Sequence, residues 1–266
     1  MEIEDESIIE SILLLLNALF MEEVITSNNS IASIIIDHLK SIAIRFNDPD
    51  TGDPISREEI LHLILNLIIQ ISEFDSNFEN LLQSNIFSII FAIFPSLFGR
   101  NVDCFLDILM QMVRKDRNHV FIDLMLNELD FNAFLKTGSN TAFLIINEML
   151  STDQSLSSFF LNLDLIPLLT ISLDEGNFFE KITSAQTLST LIQSCDEFSL
   201  EKFSNNPEMV ENLLDLCTTE IPSENIVHIA EALYRIRNST HDNEEIQDLF
   251  SSYDFDSIIE RYSENP

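Results

Sequence analysis

The chain has 266 residues, enough for one large domain or two small ones with a sizeable core, and 45 acidic against 13 basic residues give it a formal charge of −32. Such a charge repels nucleic acid and anionic membrane surfaces and attracts basic polypeptides. With 45% hydrophobic residues, four glycines and no tryptophan, the composition argues against an all-β fold and against a glycine-rich phosphate loop, so an all-α fold is expected.

In chain order, Asp5 or Ser7 starts a helix that carries Ile8, Ile12, Leu15, Leu16 and Leu19 on one side and reaches about residue 24. Its acidic start suits the positive end of the helix dipole, and its outer face is expected to be a polar cap. Ser30 caps a second helix through Ile34, Ile35, Leu39, Ile42 and Phe46. Ser56 with Glu59 has capping-box spacing and precedes a run from Ile60 to Ile71. Further helices are expected over residues 78–82, 86–98 with a bend at Pro95, 102–113, 120–129, 131–135 and 142–150. From Asp164 a two-part pattern occurs twice, a short apolar helix near a proline and then a longer amphipathic one. The long runs are Ile182, Ala185, Leu188, Leu191 and Ile192, and then Ile226, Ile229, Ala230, Leu233 and Ile236. Short helices over 246–250 and 255–262 end the pattern.

The expected N-caps of the long helices are Ser56, Asn101, Ser139, Asn177 and Ser223, spaced 45, 38, 38 and 46 residues apart. All five residues can accept from the first unpaired amides of a helix, and the spacing is that of three-helix repeat units. A helix that buries one stripe needs neighbours, so the expectation is a single repeat domain over residues 1–266, stacked into a solenoid with a long surface for a partner.

The motifs carry a resemblance. A short first helix, a second helix opening Leu165, Ile166, Pro167, Leu168, Leu169 and a long third helix resemble the armadillo repeat. Ala142, Phe143 and Asn147 are similar to that family's third-helix pattern Ala-Trp-Ala-Leu-Ser-Asn, with Phe143 in the tryptophan place. Residues Ala185, Leu188, Ser189 and Leu191 match in the next unit, with Thr190 at the asparagine. The resemblance implies an all-α, right-handed α-α superhelix of about five to six armadillo-like units. It also implies a concave groove lined by pairs on the third helices: His62 and Asn66, Asp107 and Gln111, Phe143 and Asn147, Gln186 and Thr190, Glu231 and Arg235. Phe143 is expected to be exposed in that groove.

The five histidines show no metal-ligand spacing, and Cys104, Cys195 and Cys217 read as small core residues in a reducing compartment. Asp48, Asp50 and Glu59 stand at the first, third and twelfth places of a calcium-like loop, but the glycine, Gly52, is at the fifth place, so no calcium loop is expected. Arg114, Lys115, Arg117 and His119 form the one basic cluster, read as capping a helix C-terminus. No nucleophile elbow, Walker loop or dinucleotide fingerprint occurs, and no cofactor or metal is expected. The longest apolar run, residues 86–98, is too short for a bilayer, and the acidic start is opposite in charge to a targeting peptide. The expectation is a non-enzymatic scaffold or adaptor, a cytoplasmic or nuclear monomer that binds a protein or peptide and neither nucleic acid nor membrane. The alternatives are a nuclear-import-type adaptor for basic cargo and an enzyme regulatory subunit.

Overall fold

A computed structural model describes residues 6–21, 29–48, 53–219, 221–240 and 243–263, and every regular element among them is helical. The chain divides into two compact units, Met1–Phe134 and Leu135–Pro266. The first holds α1 (Glu6–Met21), α2 (Asn29–Asn47), α3 (Pro54–Ser72), α4 (Asp75–Gln83), α5 (Ile86–Ile93), α6 (Arg100–Lys115) and α7 (Val120–Glu128), and α8 (Phe131–Leu135) runs across the division. The second holds α9 (Asn140–Thr152), α10 (Ser157–Leu161), α11 (Leu165–Glu175), α12 (Phe178–Ser194), α13 (Glu197–Ser204), α14 (Pro207–Thr218), α15 (Ser223–Ser239), α16 (Glu244–Ser252) and α17 (Phe255–Ser263). Sequence periodicity did not give α10 and α13, which are too short to show a pattern. No single helix among the described residues is long and apolar enough to cross a membrane.

Each unit is built around one helix. In the first it is α3, which packs against α1, α2, α4 and α6. Its buried residues Ile60, Leu61, Leu63, Ile64, Leu65, Leu67, Ile68 and Ile71 reach more than halfway round it, and so wide an apolar face must be covered by several neighbours. In the second unit it is α12, against α9, α11 and α15. Its buried face mixes Leu188, Leu191 and Ile192 with Thr183, Ser184, Ala185, Thr187 and Ser189, small residues that let neighbouring helices approach closely. In the first unit phenylalanine fills the core: Phe94 stacks on Phe105 at 4.3 Å between centroids, and Phe87 meets Phe121 edge-on at 4.8 Å.

Helix ends show where cap reading works. Ser139 accepts from Thr141 N, and Asn177 forms a full capping box with Glu180, whose carboxylate accepts from Asn177 N at 2.7 Å. Ser56 is a correction: Asp53 caps α3 ahead of Pro54, and Ser56 donates to that carboxylate from both its amide and hydroxyl at 3.0 Å. The proline ring presets the first helical turn, which moves the true cap upstream. Asn101 is a second correction, because α6 starts after Gly99 and Asn101 is buried. At α15 the boundary residue is Pro222, and Ser223 makes no capping bond. Pro95 ends α5 at Ile93 and continues as a single tighter turn over Phe94–Ser96. The expected boundaries at Asp5 and residue 24 and the side chain of Ser30 lie outside the described residues.

With few glycines, several of the left-handed corners fall to asparagine and aspartate. Asn85, Asp164 and Asp254 take φ of 61°, 51° and 47° directly before α5, α11 and α17. Their short polar side chains tolerate this region better than other residues do. The expected polar outer face of α1 is not what the structure has. Ile8, Ile12, Leu14 and Leu15 are exposed there.

Candidate partner-binding face

Most of the residues expected to line a groove meet across neighbouring long helices, where they form a polar seam in each unit. In the first unit the seam joins α3 to α6. His62 Nδ1 lies 3.1 Å from Asn101 Oδ1, and His62 Nε2 lies 3.0 Å from Asn66 Nδ2. Since the asparagine amide can only donate and the other carboxamide oxygen only accept, the imidazole is the neutral Nδ1–H tautomer. The Cys104 thiol sits 3.6 Å from His62 Nδ1 and 3.7 Å from Asn66 Oδ1. Further along, Ser72 Oγ donates to Gln111 Oε1 at 2.6 Å. The seam closes at both ends: Arg100 pairs with Glu59, and Lys115 Nζ donates to the carbonyls of Ser72 and Glu73 at 2.6 Å each.

In the second unit the seam joins α9, α12 and α15. Thr190 Oγ1 lies 2.7 Å from Asn147 Oδ1 and 3.1 Å from His228 Nε2. Gln186 Nε2 donates to Asn225 Oδ1 at 2.7 Å. Gln193 Nε2 reaches His228 Nδ1 at 3.3 Å, its carbonyl at 3.1 Å and Glu231 Oε2 at 3.4 Å. Arg235 closes this seam as Lys115 closes the other. Its guanidinium donates to the carbonyls of Ile192, Gln193 and Cys195, the last at 2.5 Å. Of the basic cluster, Lys115 acts as a cap, and it caps the preceding long helix and not its own.

Phe143 is the clear correction among the site residues. Its ring is 3% exposed, so it belongs to the core with Ala142, Ile146 and Met149, and only its backbone carbonyl meets the seam, through Thr187 Oγ1 at 3.3 Å. The α9 residues one position on, Leu144, Asn147 and Glu148, are the partly exposed ones. Asp107 and Glu231 are exposed beside the seams.

Sequence reasoning missed Ser72, Asn101, Cys104, Gln193 and Asn225. A signal existed: His62 and Asn101, Ser72 and Gln111, and Gln186 and Asn225 each stand 39 residues apart. The pairs run across helices at one period, whereas the sequence reading looked for pairs four apart on one helix. Cys195 and Cys217 are buried as expected, but Cys104 is a half-exposed seam residue.

The electrostatics keep both seams neutral. Burial lowers the pKa of His62, with the nearby Arg100 charge adding to the effect, and burial lowers that of His228. Burial raises the Cys104 thiol, assisted by Asp107 and Asp103. Thiol, imidazole and carboxamide are in contact, and the shifts of the thiol and the imidazole both favour the uncharged, hydrogen-bonding form. Glu59 is engaged with Arg100, and Asp50 of the calcium-like loop lies outside the described residues. Two amide donors on the seams, Gln111 Nε2 and Asn147 Nδ2, make no hydrogen bond among the described residues, although the oxygen of each amide does.

No family model matches the chain, and no curated protein matches it.

Proposed function

We propose that the chain is an armadillo-like helical scaffold, without catalysis of its own, that binds a polypeptide partner along its polar seams. The observation that carries this reading is the pair of half-bonded amides. Gln111 and Asn147 are each fixed through the side-chain oxygen, by Ser72 and Thr190, which leaves an oriented N–H2 for an outside acceptor. An extended peptide laid on either seam supplies such an acceptor in a backbone carbonyl. A donor held in place in advance loses little conformational freedom on binding. The period of 39 residues in the seam bonds supports the repeat reading that the armadillo resemblance raised. Between their charged ends the seams consist mainly of amides, hydroxyls and neutral imidazoles, which favours a partner without strong basic character over a basic import cargo.

The test is capture of partners by the whole chain, identification by mass spectrometry, and repetition with Asn147→Asp and Gln111→Glu. Each substitution keeps the oxygen that its neighbour needs and replaces the outward donor by an acceptor. Loss of one such bond and the added repulsion of a carbonyl predict roughly tenfold weaker binding or more. A partner held equally by both variants places the binding surface elsewhere.

A further inference from the structure

The seams leave the most apolar exposed surface of the first unit unexplained. Helix α1 packs on α3 through Ile9 and Leu13, and Asn17 Nδ2 donates to the Leu63 carbonyl at 3.4 Å. The adjoining side is apolar too. Ile8, Ile12, Leu14 and Leu15 are 48%, 38%, 51% and 59% exposed. Together with Leu19, the residues Ile8, Ile12 and Leu15 follow the four-three-four spacing of a single helical stripe, the spacing that packs one helix on another. An apolar surface wider than the face packed on α3 calls for further cover, and the described residues cover only the side of Ile9 and Leu13.

The charges around this stripe select its occupant. Helix α1 contains no lysine or arginine and carries Glu6 and Glu10 in its first turns, and the sequence has Glu2, Glu4 and Asp5 before it and Glu22 and Glu23 after it. A second copy, laid antiparallel, would set acidic ends against acidic ends in chains of −32 each, and an anionic membrane would be repelled in the same way. We infer that α1 is a docking site for an amphipathic helix of a partner protein, with an apolar stripe and lysine or arginine at its ends. Apolar burial supplies the affinity, and the flanking charges set the choice of partner and its orientation.

The probe is a synthetic peptide of about 18 residues, long enough to lie along α1, with leucines at helical stripe spacing and lysines at both ends. Its binding to the full chain is measured by fluorescence anisotropy beside two controls, one with glutamates for the lysines and one with the stripe scrambled. The chain is also made as Ile12→Ser with Leu15→Ser; both side chains are exposed, so circular dichroism should match the wild type. The lysine peptide is expected to bind, with the glutamate peptide, the scrambled peptide and the double variant each at least about tenfold weaker. Absence of binding, or equal binding by the double variant, overturns the proposal. So does a dimer in sedimentation that the double variant dissolves, which would make a second copy the occupant. Capture of the chain by neutral lipid vesicles, lost in the double variant, would give the face to a membrane and overturn it as well.

Discussion

At residue scale, Phe143 shows what a helical pattern conceals. The sequence placed its ring at the tryptophan position of a groove, and the structure puts it beside Ala142 and Met149 in the core. On a helix one position is a rotation of about 100°, so an alignment resting on one aromatic can choose the wrong face. Phe143→Ala and Leu188→Ala should therefore both be severe, at about 3–5 and 2–5 kcal/mol in chemical denaturation. A Phe143→Ala loss below about 1 kcal/mol would return the ring to the surface. The seam histidines give a second residue-scale prediction. Folding depresses the pKa of His62 and His228 below the ordinary 6.5, so the folded chain takes up protons less readily than the unfolded one. Their contribution to stability is complete above 6.5 and is lost as pH falls below it, through their lower folded values. Denaturation midpoints above and below that value should differ more for the wild type than for a His62→Gln, His228→Gln chain. An identical pH response in the two would remove the histidines from the account.

At the scale of elements, the positions of the long helices could be read from the sequence, while their ends could be read only where polar caps act alone. Asn177 was identifiable because nothing upstream competes with it. Ser56 was not, because Asp53 with Pro54 starts the helix earlier. Asn177→Ala should cost about 1 kcal/mol, and Ser223→Ala, which removes no capping bond, should stay within about 0.5 kcal/mol. Equal costs at the two positions would mean that the cap assignment is wrong. The seams were half legible: the sequence pointed to Asn66, Gln111, Asn147, Gln186, Thr190 and Arg235, but the partners that hold them lie on the next helix. Contacts between helices about 40 residues apart are invisible to a pattern read within one helix, and only comparison at the repeat period brings out pairs such as Gln186 and Asn225, 39 apart.

At the scale of the molecule, the chain resolves a shortage of cations. Only 13 basic residues face 45 acidic ones, and several of them bind helix-end carbonyls. Lys40 donates to the carbonyl of Ser84, Lys181 to that of Asp174 and Lys202 to that of Leu161, as Lys115 and Arg235 do at the seams. Cations thus satisfy the unpaired carbonyls of helix C-termini, where the helix dipole also favours them. The negative charge is left uncompensated over the surface, while the interiors of the seams are uncharged. A partner held by the seams should then feel the field of the chain only weakly. The most direct test is the affinity of the captured partner for the wild type and for Asn147→Asp, measured at low and at physiological salt. The account predicts a small change with salt and a loss of roughly tenfold or more in the variant. An affinity that falls by orders of magnitude with salt and is untouched by Asn147→Asp would contradict it and make the acidic surface the binding site for a basic cargo.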